Sequence, residues 1–302
     1  MKKILLNSVF LISTFQGLSQ VSGLFPLPLL KYQDQSLFEN PASAARSELS
    51  EITLLRSNYT GLGESIGLNY LNASVALRNK NSTNVHMPGI VLHSEFDTEI
   101  LTRTRVYLKY NWSTSISNST KISAGAHFGF FNYAVKASNS SSGISAFAPD
   151  ATIGIWITSK NANLGFSIPQ LLNSTVQPIN SKFTLLRYYT LFADYKLVKN
   201  LNTEFSSGIK ILSTGSAYIE LTGFLNLLVA RNFATEFSYK INKGFTFSAG
   251  ITKFSILKNS GDLFVSYFHS SKNIKALSTD RIELCLRYSF KKKQKAEQVE
   301  SE

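Results

Sequence analysis

The chain has 302 residues, 43% hydrophobic and 12% aromatic, with a charged fraction of 17% that falls below the roughly 25% of ordinary soluble domains. Its net charge of +12 is spread among apolar segments rather than gathered in one patch, which argues against nucleic acid as a partner and for anionic lipid headgroups or acidic protein surfaces. Cys285 is the sole cysteine, so no intramolecular disulfide can form and stability must come from backbone pairing and burial.

The chain opens as an export signal. Lys2 and Lys3 form a positive start, Ile4 to Phe15 is mostly apolar, and Gly17-Leu18-Ser19 places small residues where a signal peptidase reads, so cleavage before Gln20 is expected. Removing residues 1–19 takes the 31 basic residues to 29 against 19 acidic ones, a net +10. The leader is too short and too polar for a membrane anchor, which needs about 20 mainly apolar residues. Ala217 to Ala230 comes nearest later in the chain, but it contains Glu220 and alternates in a way helices do not need. Residues 20–48 carry Pro26, Pro28 and Pro41 without a clear period through Ala45. They are expected to form an N-terminal plug, a periplasmic segment or a lumen loop.

Residues 49–290 then show a period of two, the mark of strands that send alternate side chains to opposite faces. Candidate strands run near Ile52 to Asn58, Ser65 to Ala76, Val85 to Glu95 and Thr102 to Trp112. They continue from Lys121 to Phe130, Ala151 to Ser159, Ala162 to Ile168, Tyr189 to Leu197, Thr203 to Ile211 and Ile219 to Val229. Phe233 to Ile241, Phe245 to Phe254, Leu263 to Phe268 and Ile282 to Phe290 complete the set. The last is the clearest: Ile282, Leu284, Leu286, Tyr288 and Phe290 share one face, Glu283, Cys285, Arg287 and Ser289 the other. An apolar face ending in aromatics suits lipid, with the rings at headgroup level, and the opposite face suits a wet lumen.

Polar, turn-forming breaks separate these segments, at Asn79 to Asn84, Asn118 to Thr120, Asn139 to Gly143, Asn161-Ala162-Asn163, Asn242-Lys243-Gly244 and Asn259-Ser260-Gly261. Many of the segments have 8 to 12 residues, matching a tilted membrane crossing of about 9–11 rather than the soluble average of about 5–6. In hydrocarbon each unpaired backbone polar group costs several kcal/mol, so such strands must close into a cylinder without a free edge. The expected fold is therefore an all-β, outer-membrane-type transmembrane antiparallel barrel of about fourteen strands, with a range of 12 to 16. Residues 291–302, KKKQKAEQVESE from Lys291, read as a disordered charged tail.

Nothing in the chain marks catalysis. His86, His93, His127 and His269 are scattered, and seven residues separate the closest two, which would put them on opposite faces of a regular strand. No Gly-x-Ser-x-Gly elbow or phosphate-binding glycine loop is present. No catalytic, metal or cofactor residue is assigned, and no cofactor is expected. Cys285 is expected on the polar face, lumen-facing or packed, and Gln20 rather than cysteine stands at the cleavage site, so no lipid anchor is expected. Arg103, Arg105 and Lys109 share one face and suit a pore lining, a site for an acidic segment, or solvated lumen charges balanced by acids on neighbouring strands.

Several stretches, in order along nearly the whole mature chain, resemble the PorP/SprF family. SLFENPASAARSE from Ser36 resembles its Asn-Pro-Ala segment, and LLRSNYTGLGES from Leu54 its Arg-containing first strand and glycine turn. PDATIGIWITSKNANLGFSIPQLLN from Pro149 resembles its Pro-led strand, glycine hairpin and Ser-x-Pro-Gln-Leu end, here Ser167 to Leu171. LLRYYTLFADYKL from Leu185 and IELCLRYSF from Ile282 resemble its Arg-His-Tyr and terminal strands. The chain departs from the pattern at Ala44-Ala45-Arg46, where an Ala-Gly pair is usual, at Tyr188, in place of the His, and at Thr279-Asp280-Arg281, where a Ser-His is usual. The resemblance implies an outer-membrane component of the type IX secretion system and its gliding-motility machinery. Implied partners are ring and motor components and the C-terminal domain of a secreted adhesin or other cargo, besides outer-membrane lipid. A transport channel for small or hydrophobic solutes is the alternative; periodicity serves both equally.

Overall fold

The computed structural model describes residues 25–46, 49–60, 66–78, 82–97, 100–137, 143–178, 182–200, 202–215, 218–256, 259–271 and 280–290. The expected leader and charged tail lie outside these.

Fourteen strands form the wall: β1 Ser50–Tyr59, β2 Ile66–Ser74, β3 Val85–Asp97, β4 Leu101–Ser115, β5 Lys121–Val135, β6 Ile144–Thr158 and β7 Ala162–Ile168. The second half is β8 Tyr189–Lys199, β9 Thr203–Ser213, β10 Ile219–Val229, β11 Phe233–Lys240, β12 Gly244–Ile256, β13 Asn259–Ser270 and β14 Arg281–Phe290. Leu77–Arg78 resumes the line of β2 and pairs with the start of β3. Each strand pairs antiparallel with its sequence neighbour, and β14 pairs with β1 from Ser50↔Phe290 to Tyr59↔Arg281, so the sheet closes on itself. Closure leaves no edge for lipid to strand.

The alternation read from the sequence sorts inside from outside. On β14, Ile282, Leu284 and Leu286 are exposed on the outer surface, while Arg281, Glu283, Cys285 and Arg287 are buried within. On β11, Phe237 and Tyr239 face out and Glu236 and Ser238 face in; on β12, Phe245, Phe247 and Ile251 face out and Thr246 and Ser248 face in. A soluble protein would bury the first set. Here the apolar set is the surface, as a lipid-facing cylinder requires.

Two boundaries differ from the sequence reading. Asn259-Ser260-Gly261 is not a turn but the start of β13, and a side chain at Gly261 would strike Ile256 Cδ1 at 2.6 Å and Phe254 Cζ at 2.9 Å. That glycine serves close strand contact beside the register shift of β12 between Ile251 and Phe254, where Lys253 has φ 56°. Strand β6 begins at Ile144 rather than Ala151, because Pro149 and Asp150 interrupt the alternation without ending the pairing to β5.

The two ends of the cylinder differ. Ser50 and Phe290 lie together at one end, where most connections have two to five residues. The opposite end carries the longest, residues 169–188, between β7 and β8. There the wall is uneven. Strand β6 pairs with β5 along its full length but meets β7 only from Ile153↔Ile168 onward, so Ile144 to Thr152 rise past the end of β7. Pro149, which has no N–H to offer a ladder, falls in that unaccompanied stretch. Residues 169–188 fold against it: the Leu171 N–H donates to Ala151 O at 2.8 Å, and the Ser174 hydroxyl to Pro149 O at 2.6 Å. Val176 and Leu185 pack there on Phe131 and Ala148.

Candidate functional site

Residues 25–46 run through the lumen from the long-loop end to the short-turn end. An extended, proline-containing stretch through Leu30 leads into helix α1, Tyr32–Glu39, and a 3-10 turn, Pro41–Arg46. The described part of this segment, residues 25–46, packs against inward-facing wall residues and is called the plug below. Every residue of α1 except Gln33 is buried, although five of the eight are polar. Leu37 and Phe38 join small apolar clusters with Val85, Met87 and Tyr70, and the wall supplies polar partners for Tyr32, Asp34 and Glu39.

Those partners can be followed along the chain. The Leu27 N–H donates to Glu95 Oε1 at 3.0 Å, Arg281 donates to Pro28 O at 2.5 Å, and the Leu30 N–H donates to Glu283 at 3.1 Å. Lys31 Nζ stands 3.4 Å from the centroid of the Phe264 ring. The Tyr32 N–H donates to Glu236 at 2.7 Å, its hydroxyl to Asp194 at 3.2 Å, and its ring stacks on Phe224 with centroids 3.6 Å apart. Asp34 accepts from Arg287, and Glu39 pairs with Lys210 at 2.8 Å. Both ion pairs are buried, so each partner would be an uncompensated charge without the other.

At the foot of α1 the chain turns on Asn40-Pro41-Ala42. The Asn40 amide donates to Ile155 O at 3.0 Å and Phe166 O at 3.2 Å, while its carbonyl accepts the Ala42 N–H at 3.0 Å. Asn111 and Ser123 then donate to Ala42 O, both at 2.9 Å. Two wall glycines make room for this approach: a Cβ at Gly154 would lie 2.1 Å from Asn40 Oδ1, and one at Gly125 2.7 Å from the backbone of Pro41 and Ala42. Replacing Asn40 by alanine removes both donors from two carbonyls in a buried setting. A loss of about 1–3 kcal/mol is expected, to be checked by urea unfolding of the refolded protein in detergent; a change near zero would mean the joint does not hold the plug.

The excursion at residues 169–188 brings together the segments Ser167 to Leu171 and Arg187 to Tyr189. The Arg187 guanidinium donates twice to Leu171 O, at 2.9 and 2.6 Å, and the Arg187 N–H donates to Asn173 Oδ1 at 3.1 Å. The hydroxyls of Ser167 and Thr190 are 2.5 Å apart. Gln170 and Asn173 hold positive φ at 52° and 50°. Arg187 is exposed and works locally, so R187A is expected to leave the barrel folded while cutting between 169 and 188 by added protease rises several-fold. Unchanged cutting would assign the anchoring to the Val176 and Leu185 packing alone.

Of the other residues singled out from the sequence, Arg103 and Arg105 both meet Glu95 on the adjacent strand, at 3.2 and 2.7 Å. Balance by a neighbouring acid is thus found for that pair, but Arg105 and Lys109 are buried beneath the plug rather than solvated. Lys109 donates to Asn72 at 2.5 Å, which donates to Glu51 at 3.3 Å. His86 faces outward beside the Tyr110 hydroxyl, whereas His93 is buried between Phe38 and the Leu27 carbonyl. Among the described residues no three His, Cys, Asp or Glu side chains gather as a metal site. Cys285 lies in the lumen, 3.7 Å from Asp34 Oδ2. Sequence reasoning missed the ion pairs of α1, although one signal was present. Lys210 points inward between Phe192 and Thr222 of the adjoining strands, and no acid stands directly opposite it on either one.

Outside the strands, Asp280 ties β13 to β14 at the long-loop end. It accepts from the Ser270 N–H at 3.0 Å, the Tyr267 hydroxyl at 2.5 Å and His269 Nδ1 at 3.1 Å. Partial burial raises its pKa and these donors lower it; the donors prevail, and the carboxyl titrates below its usual range. A depressed carboxylate contributes stability that is complete above its unfolded pKa, about 3.9, and is lost as pH falls through the lower folded value. The difference in thermal stability between the natural protein and D280A should therefore hold from neutral pH to about 4 and shrink below it.

A closed cylinder with an apolar outer face, a charged lumen and an internal plug defines an outer-membrane-type β-barrel protein. Solved structures share the fold: the CymD monoaromatic hydrocarbon channel (TM-score 0.58, 9% identity, 84% of this chain and 92% of that one). Others are the toluene transporters TbuX of Ralstonia pickettii (0.57, 9%, 89% and 98%) and TodX of Pseudomonas putida (0.57, 10%, 90% and 99%). A comparison with curated proteins by sequence finds no match. The chain belongs to the family of type IX secretion system membrane proteins PorP/SprF, whose profile matches residues 27–288. Family and fold together support an outer-membrane location.

Proposed function

We propose that this protein serves the type IX secretion system as a binding component of the outer membrane rather than as a catalyst. The short-turn end faces the periplasm and meets ring and motor components of the secretion and gliding machinery. The long-loop end faces outward and receives the C-terminal domain of a secreted adhesin or other cargo. The family match supplies the system. The observation that carries a binding role is the plug: with α1 fixed to opposite walls through Arg287 and Lys210, the barrel offers partners two rigid faces rather than an open pore. The sidedness follows the general habit of such barrels, with short turns inside and longer loops outside.

The test is a pulldown of the full-length protein from detergent-solubilised outer membrane, with partners identified by mass spectrometry, beside the secretion profile of a deletion strain. Recovery of ring or motor proteins, and a secreted protein stranded inside the deleted cells, is expected. Failure of both would turn the assignment to the second reading, a channel for small or hydrophobic solutes. That reading draws support from the fold shared with hydrocarbon channels and is checked by uptake of a monoaromatic compound.

A further inference from the structure

The plug does not fill the lumen evenly. Its 3-10 turn packs on β4, β5 and β6, whereas two cavities remain along β9 to β14. One, of about 280 Å³, opens toward the short-turn end beside Glu204, Asn226, Ser260 and Ser289. The other, of about 250 Å³, lies toward the long-loop end beside Thr222, Lys240, Phe268 and Arg281. The same strands line both in series. Along β11 the inward residues run Ala234 and Glu236 in the first, then Ser238 and Lys240 in the second; along β10 they run Leu228 and Asn226, then Phe224 and Thr222. Adjacent inward residues of a strand are about 7 Å apart. The two spaces are therefore separated by a single layer of side chains.

That layer belongs to the entry of α1. Lys31 and Gln33 border the first cavity, and Leu30, Tyr32 and Gln35 the second. Lys31 closes against Phe264 and Tyr32 against Phe224, with the Tyr32 N–H held by Glu236. The stronger anchors of the plug, Asp34 to Arg287 and Glu39 to Lys210, lie further along the helix.

We propose that strands β9 to β14 enclose a two-chambered passage for small ions and polar solutes, shut by the Lys31–Tyr32 layer. The polar lining of the short-turn chamber sets the solute class. This differs from carriage of hydrophobic solutes and stands apart from the secretion reading, which does not need a conducting path. The test uses the full-length protein refolded and reconstituted in planar bilayers in potassium chloride, with folding verified by its heat-modifiable gel mobility. The natural protein and L284A, which alters an outward-facing residue of β14 away from both cavities, are expected to stay closed. K31A/Y32A is expected to show steady current steps, on the order of tenfold or more above the natural protein. If the double variant does not fold, K31A and Y32A singly should each give smaller steps. A folded barrier variant with no more current than the natural protein overturns the proposal, as does conduction by L284A equal to that of the barrier variant.

Discussion

D34A is expected to lose about 3–5 kcal/mol of stability, because removing one partner of a buried ion pair leaves the other charge uncompensated. The partner is Arg287, buried on the last strand, which keeps only the more distant acids Glu51 of β1 and Asp262, the latter at 3.7 Å. Urea unfolding in detergent measures the loss, and the two tryptophans divide the signal. Trp156 is fully buried beside Phe192, within the cluster that holds Tyr32 of the plug, while Trp112 sits on the outer face. In a W112F background the fluorescence therefore reports the lumen. Replacing both charges, D34A with R287M, should recover part of the loss, since an apolar pair carries no desolvation cost. A change below about 1 kcal/mol in D34A would mean the helix is not held by this pair.

The second large effect belongs to the outer face. Phe247 is 50% exposed and lies between Phe237 and Tyr267 of the flanking strands, all three turned outward. In water an arginine there would cost little. Against lipid F247R should cost about 2–4 kcal/mol near the midplane, whereas F247L should cost far less. Unfolding from lipid vesicles distinguishes the two cases, and near-equal stability of F247R and the natural protein would remove this face from the membrane.

What could be read from the sequence follows from how the two faces differ. The outer face is uniformly apolar and the inner face polar, so strands such as Ile282 to Phe290 show a clean period of two. The period weakens where that contrast fails: Ala148 and Ala151 are small and buried around Pro149 and Asp150, which hid the first half of β6. The plug was harder for a different reason. A buried helix normally announces itself by an apolar stripe, but α1, YQDQSLFE, is surrounded by charged wall residues and needs polar side chains to match them. Its partners are as far as 253 positions away, at Arg287, and no local pattern encodes a distance of that kind. The Asn-Pro-Ala and Ser-x-Pro-Gln-Leu segments were recognisable as family landmarks, yet their work as joints between plug, wall and loop appears only when β6 and β7 are folded beside them.

The position of α1 in the chain also orders biogenesis. It precedes β1, so it is made first, but its counter-charges stand on β9 and β14 and come together only after the last hairpin has joined the first strand. A cylinder lacking either strand offers it only part of its anchorage, and an unseated helix takes from Arg287 and Lys210 their nearest acids. Seating of the amino-terminal segment thus depends on a wall complete from β9 to β14, and it braces those two strands against each other across the lumen.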